Sequence, residues 1–197
     1  MKKIPTVFIR VFHEHSIIDI LPQIIPACEE GFLNGKATVK VDGSCCAVID
    51  GEFYKRYDAK KGKKPPVGAI PCDNPDPVTG HWPHWVKIDP NNPSDKWFLK
   101  AAKRYALGDG TDEKVYYGSI EPGTYEAIGK HFNGNPYNLD YDILVKHGER
   151  EVDVKRDFDS IKEWLETHDE EGLVFWLDGK PVCKIKRTDF GLKWPVK

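Results

Sequence analysis

A lysine at position 40, an aspartate at 42 and a glycine at 43 form a compact set suited to chemistry at phosphorus. A free lysine, with a pKa of about 10.4, is a poor nucleophile at neutral pH. Burial and neighbouring cations disfavour its charged form and so activate it. Lys184 and Lys186 are such cations, and they alternate along one expected strand, so they share a face. Two lysines on one face repel each other unless an anion lies between them, and a triphosphate is such an anion. Lys40 would then attack the α-phosphate of a nucleoside triphosphate and release pyrophosphate. Strand alternation puts Asp42 on the face of Lys40, where its carboxylate would hold a divalent metal or the metal's waters. Gly43 lets the backbone turn sharply where a ligand must come close. Glu171, beside Gly172 at the mouth of another expected strand, is a second metal-facing carboxylate. Each residue also has a plain reading taken alone: a solvent-facing strand lysine, an Asp-Gly turn, an acidic loop over Asp169 and Glu170.

These side chains need strands to hold them. Thr6–Phe12, Lys36–Val41, Cys45–Asp50 and Glu52–Tyr57 read as strands, with Asp50-Gly51 a strong hairpin signal between the last two. Val115–Ile128 has strand character around a Pro122-Gly123 turn. Gly172–Leu177 and Pro181–Ile185 form a hairpin around Asp178-Gly179. Asp19–Phe32 reads as a helical segment interrupted by Pro22 and Pro26. Ser94–Tyr105 is expected as a helix capped by Ser94, and Asp157–His168 as a second, with Phe158, Ile161, Trp164 and Leu165 on one face. Residues 62–93 are rich in proline and read as a long loop, ordered by Trp82 and Trp85. His81 and His84 in that loop lack acidic or thiol partners and read as structural. The pattern is α+β, one domain over residues 1–197, with antiparallel strands carrying most of the motifs.

Composition narrows the function. The chain has 197 residues and a formal net charge of −2, so global charge does not draw it to nucleic acid. Local patches remain: residues 55–64 carry six basic side chains against Asp58, and the tail from Lys184 to Lys197 is also basic. Five cysteines without a C-x-x-C pair indicate neither a disulfide framework nor a structural zinc site. Reduced thiols in the cytoplasm are the simplest account. Neither a signal peptide nor an apolar run of about 18 residues is seen, so no membrane is expected.

Four motifs in order complete the picture: Lys40-Val41-Asp42-Gly43, Tyr125-Glu126-Ala127, Glu171-Gly172-Leu173-Val174-Phe175 and Lys184-Ile185-Lys186. With them the chain resembles the covalent nucleotidyltransferase superfamily of ATP-dependent polynucleotide ligases and mRNA capping enzymes. Within it, Lys40 to Cys46 (K-V-D-G-S-C-C) is similar to the RNA 5′-to-3′ ligase family. PDPVTGHWPHW, TYEAIGKHFNGNPYN and KIKRTDFG extend the likeness over roughly Lys36 to Gly191. The resemblance implies an ATP-grasp-like nucleotidyltransferase domain of antiparallel sheets flanked by helices. With six residues after Gly191, it implies no C-terminal OB-fold.

The resemblance also implies roles. Lys40 would be the adenylylated nucleophile, and Lys184 and Lys186 the catalytic pair on the α-phosphate. Arg56 would contact the ribose and the incoming RNA end. Glu126 would contact the ribose or the metal's water shell, and Glu171 would lie near the metal. The backbone around Thr38 and Val39 would read the adenine edge. Tyr141–Val145 spans the interval where an adenine-stacking residue is expected. The implied reaction is ATP-dependent sealing of RNA with 5′-phosphate and 3′-hydroxyl ends, through lysyl-AMP, with Mg²⁺ or Mn²⁺ and no obligate protein partner. The alternatives are a GTP-dependent RNA guanylyltransferase and a catalytically inactive nucleotide- or RNA-binding module.

Overall fold

Short runs of Val, Ile and aromatic residues between turn residues make strands, and two amphipathic stretches make the longer helices. The fold is that of a computed structural model describing residues 3–14, 16–77, 79–108 and 119–196. In chain order they form β1 (Phe8–His13), β2 (Ser16–Ile24), α1 (Glu29–Asn34), β3 (Lys36–Lys40), β4 (Ser44–Ile49), β5 (Glu52–Ala59) and β6 (Ile70–Pro71). There follow β7 (Trp82–Lys87), α2 (Lys96–Leu107), β8 (Gly123–Gly129), β9 (Asp142–Lys146), α3 (Phe158–Thr167), β10 (Gly172–Leu177) and β11 (Lys180–Lys186). The α+β class with antiparallel sheets is as the sequence indicates. No helix among the described residues is long and apolar enough to cross a membrane.

Two expected elements differ. The stretch expected as a helix from Asp19 to Phe32 divides: residues 19–24 belong to β2, which runs through Pro22 and pairs with β1, whereas residues 26–32 are helical as expected. Proline is tolerated on such an edge, and the isoleucines of this segment suit a strand better than a helix. The expected loop over residues 62–93 contains β6 and β7, with the whole of β7 paired to β5 from Tyr54↔Lys87 to Ala59↔Trp82. Trp85 is buried, and the Trp82 indole donates to the Asp73 carbonyl at 2.7 Å, so both rings serve local packing. His84 is buried too, its Nδ1 at 2.9 Å from the Trp82 carbonyl oxygen. Of the expected Val115–Ile128 strand, residues 115–118 lie outside the described residues; β8 begins at Gly123.

The chain divides into two compact units, residues 42–147 and residues 3–41 with 148–197. The continuous unit is a six-stranded antiparallel sheet ordered β6-β7-β5-β4-β8-β9. One face buries Cys46, Val48, Phe53, Tyr125, Ala127 and Leu144 with Ala101 and Ala102 of α2. The Asp50-Gly51 turn between β4 and β5 has positive φ at both residues (51° and 75°), the backbone such a two-residue hairpin requires.

The discontinuous unit holds the β1–β2 ribbon and a three-stranded sheet ordered β11-β10-β3. Its core joins Phe8, Phe32, Ile161, Leu165, Leu173, Phe175 and Ile185. Asp157 starts α3 by accepting the Ser160 N–H at 2.8 Å, a cap worth about 1 kcal/mol. Leu173, Phe175 and Ile185 point into this core, so alternation turns Gly172, Val174, Lys184 and Lys186 to the other face.

Candidate active site

That second face of the discontinuous unit carries the lysines. Gly172 pairs with Lys40 on one side and with Lys186 on the other. Val174 likewise pairs with Thr38 and with Lys184. Two cross-strand rows therefore place Thr38, Lys40, Lys184 and Lys186 on one face, across 148 residues of sequence from Thr38 to Lys186. Gly172 is needed there, because a Cβ would stand 2.1 Å from the Ile185 carbonyl oxygen.

Lys40 Nζ lies 2.5 Å from Glu171 Oε2, and both side chains are largely shielded from solvent. Burial pushes Lys184 down to about 8; the Lys40 and Lys186 cations push the same way, and Glu171 opposes them. Lys184 is thus an amine whose charged form is disfavoured by burial first and by the cations on its face second. The Lys186 amide donates to Asp189 at 2.9 Å, and Asp189, buried, also takes Arg10 at 2.6 Å.

At the rim, the Val39 N–H donates to the Arg150 carbonyl at 2.8 Å, so that amide is already used. Thr38 Oγ1 accepts the Trp176 indole N–H at 2.8 Å, which fixes a large ring on the same face. Glu170 is half-buried and ion-paired with Arg150, not part of a solvated acidic loop.

Asp42, Arg56 and Glu126 belong to the continuous unit. Strand β3 ends at Lys40, so alternation does not reach Asp42. Its carboxylate accepts the Asn133 side-chain amide at 2.5 Å, and its N–H donates to the Tyr137 hydroxyl at 2.8 Å. Gly43 lies against a strand: a Cβ there would be 2.3 Å from the Ala127 carbonyl oxygen, so its role is close approach to β8. Arg56 and Glu126, 70 positions apart, share a row. Cys45 is opposite Glu126, and Cys46 opposite Lys55 places Cys45 beside Arg56. Arg56 Nε donates to Asp58 at 2.8 Å. His147 Nε2 lies 2.8 Å from Glu126 Oε2. Sequence reasoning missed His147, because its register against β8 is set by tertiary pairing and no local motif marks it.

The basic run divides. Lys55 pairs with the buried Asp95, and Arg56 with Asp58; Lys60, Lys61, Lys63 and Lys64 are exposed. Tyr141, in the interval expected to supply a stacking ring, is exposed with the Arg104 guanidinium 4.0 Å from its ring centroid.

Residues 68–197 match the protein family described as RNA ligase 1. The chain belongs to the RNA ligase 1 family. That match includes Glu126, Glu171, Lys184 and Lys186, while Lys40, Asp42 and Arg56 precede it. RNA ligase 1 of Danio rerio is 30% identical over 81% of this chain and 68% of its own length. RNA ligase 1 of Rattus norvegicus is 28% identical over 86% of this chain and 71% of its own length. RNA ligase 1 of Pongo abelii is 26% identical over 81% of this chain. The likeness read from the four motifs is thus borne out at the level of the family.

Proposed function

We propose that this chain is an ATP-dependent RNA ligase that joins 5′-phosphate and 3′-hydroxyl RNA ends through an AMP carried on Lys40. The observation that carries the reading is the row Lys40–Gly172–Lys186, with Glu171 on the nucleophile and Lys184 one row away. Membership of the RNA ligase 1 family supports RNA as the substrate.

In the first step the Lys40 amine attacks the α-phosphorus of ATP. The N–P bond forms, the bond to the β-phosphate oxygen breaks, and pyrophosphate leaves with the electron pair. Lys40 must shed a proton, and Glu171 Oε2 at 2.5 Å is the base beside it. Lys184 and Lys186 neutralise the charge that grows on the phosphoryl oxygens. The AMP then passes to the RNA 5′-phosphate, and the 3′-hydroxyl displaces it. Every step is in-line displacement at phosphorus, so positioning and charge neutralisation supply most of the acceleration. Arg56 and Glu126 would serve the ribose and the RNA end.

Glu171 is the carboxylate of the lysine-bearing unit that would hold Mg²⁺ or Mn²⁺, since hard cations take oxygen ligands, and a cation would compete there with Lys40. Asp42, a carboxylate of the continuous unit, is held by Asn133. Such a cation neutralises phosphate charge when bound. All five cysteines are free, which suits a reducing cytoplasmic setting.

The test is covalent labelling with α-³²P ATP beside α-³²P GTP, followed by sealing of 5′-phosphorylated RNA. ATP should label the parent chain but not Lys40→Ala, and RNA should be sealed only by the parent. Labelling by GTP alone, or no label with either nucleotide, overturns the reading.

A further inference from the structure

The face of the six-stranded sheet opposite its core carries a donor set that the proposed reaction leaves partly unused. Cys45 on β4 is directly opposite Glu126 on β8. Thr124 lies two residues before Glu126 on the same strand and so on the same face. The His147 amide, just past β9, donates to the Thr124 carbonyl at 3.0 Å, which aligns the imidazole with that face. Tyr125, Ala127 and Cys46 alternate with these residues and are buried in the core beneath. Three adjacent strands thus bring one thiol, one carboxylate and one imidazole together, with their ligand atoms within 4.8 Å of one another.

We propose that Cys45, Glu126 and His147 form a binding site for a thiophilic divalent cation, with Zn²⁺ the ion that fits best. Sulfur, nitrogen and oxygen donors are the zinc set, whereas Mg²⁺ and Ca²⁺ take oxygen. Three protein ligands leave a fourth position for water or an exogenous ligand, the arrangement of an open zinc site. His147 is already oriented for the task. Its Nδ1 lies 2.9 Å from Thr124 Oγ1, so an Nδ1–H can donate there while Nε2 turns its lone pair to the cation. The side chains of His147 and Glu126 are only 14% and 12% exposed, so little water competes for these donors.

A metal-free network can be drawn from the same groups. In it the Thr124 hydroxyl donates to Nδ1, and Nε2–H donates to Glu126 at 2.8 Å. That network has no use for Cys45. Without a cation, burial and the Glu126 charge push the Cys45 thiol up to about 12. A bound cation reverses this, and the thiol proton leaves to solvent on binding. Arg56, beside Cys45 and already paired with Asp58, favours the thiolate as well. The inference rests on these side chains alone and would survive failure of the ligase reading.

The test is to load the whole reduced chain with Zn²⁺ or Co²⁺, dialyse it, and measure retained metal and the Co²⁺ absorption spectrum. The parent should retain an equimolar amount of metal and show a thiolate-to-cobalt charge-transfer band. Cys45→Ser should abolish the band. Cys72→Ser, which alters another half-buried thiol, should keep it. Thr124→Val should weaken binding by roughly 10–100-fold, as loss of a ligand-orienting partner does. Circular dichroism of each variant reports whether it is folded. A parent chain with neither retained metal nor a charge-transfer band overturns the proposal. So does a folded Cys45→Ser that binds as tightly as the parent.

Discussion

Lys40 and Lys186 stand on either side of Gly172 in one cross-strand row, and no side chain separates them. A glycine in mid-sheet normally weakens a strand. Here the missing Cβ lets the β11 backbone approach closely and leaves no side chain in the row between the two cations. The added Cβ of Gly172→Ala would meet the Ile185 carbonyl at 2.1 Å and the Lys186 Cα at 2.9 Å, both backbone atoms of β11. The two strands must part to admit it. We expect a loss of about 1–3 kcal/mol, the usual cost of overpacking, measured by urea denaturation. Labelling of Lys40 by ATP should fall as well. A fully stable, fully active alanine variant would show that the row needs no gap.

Glu171 holds the proposed nucleophile by its amine and also acts on Lys184. Glu171→Gln removes the carboxylate that opposes the depression of Lys184 and leaves the Lys40, Lys184 and Lys186 cations to repel one another. Breaking a largely shielded pair in this way should cost about 2 kcal/mol, less than a fully buried pair. If Glu171 also takes the proton from Lys40, the covalent labelling rate should fall roughly 10²–10⁴-fold. The two readouts separate its roles. A melting-temperature loss with an unchanged labelling rate would leave Glu171 a structural counter-ion only.

Much of this was legible in the sequence, and the misses have physical causes. Lys184 and Lys186 share a face because period-two alternation is local, and the hairpin around Asp178-Gly179 forms as expected, with positive φ at both turn residues. The failures occur where tertiary pairing overrides local pattern. Pro22 suggested a broken helix, yet it sits in a strand held by its hairpin partner β1, whose pairing outweighs the proline signal. Trp82 and Trp85 lay in a proline-rich stretch that became a strand only because β5 pairs with it. Asp42 lies beyond the end of β3, where alternation no longer applies. His147 and Thr124 join Cys45 and Glu126 through sheet order, which no spacing along the chain encodes.

Arg187 shows a different blind spot, since the sequence places it in a basic tail. The structure buries it: its guanidinium donates to the carbonyls of Leu165, His168 and Lys193, which ties the end of α3 to the chain after β11. Arg187→Met would keep the apolar stem and leave those carbonyls without their donor. We expect a loss of about 3 kcal/mol by urea denaturation, given about 1–3 kcal/mol for each buried group left unmatched. Arg187→Lys should recover only part of it, because one ammonium cannot reach all three carbonyls. A lysine variant as stable as the parent would reduce Arg187 to a point charge.

Lys184 gives the site a measurable pH dependence. Its pKa falls from 10.5 in an unfolded chain to about 8 in the fold, chiefly through burial and then through Lys40 and Lys186. Below about 8 both states carry the proton, and the full cost of burying that charge is present. Between about 8 and 10.5 the unfolded chain binds more protons than the folded one, so this group makes stability rise with pH. Above 10.5 both forms are neutral and the contribution is flat. Lys184→Met removes the group, so the stability difference between methionine variant and parent should shrink across that window by on the order of 2 kcal/mol. Urea denaturation at closely spaced pH values reads that difference directly. A triphosphate between the lysines favours the charged form, so binding near pH 8 should take up protons. Calorimetry in buffers of different ionisation enthalpy would show that uptake with ATP and Lys40→Ala, where no transfer follows. A stability difference independent of pH, together with no proton uptake, would place Lys184 outside the phosphate site.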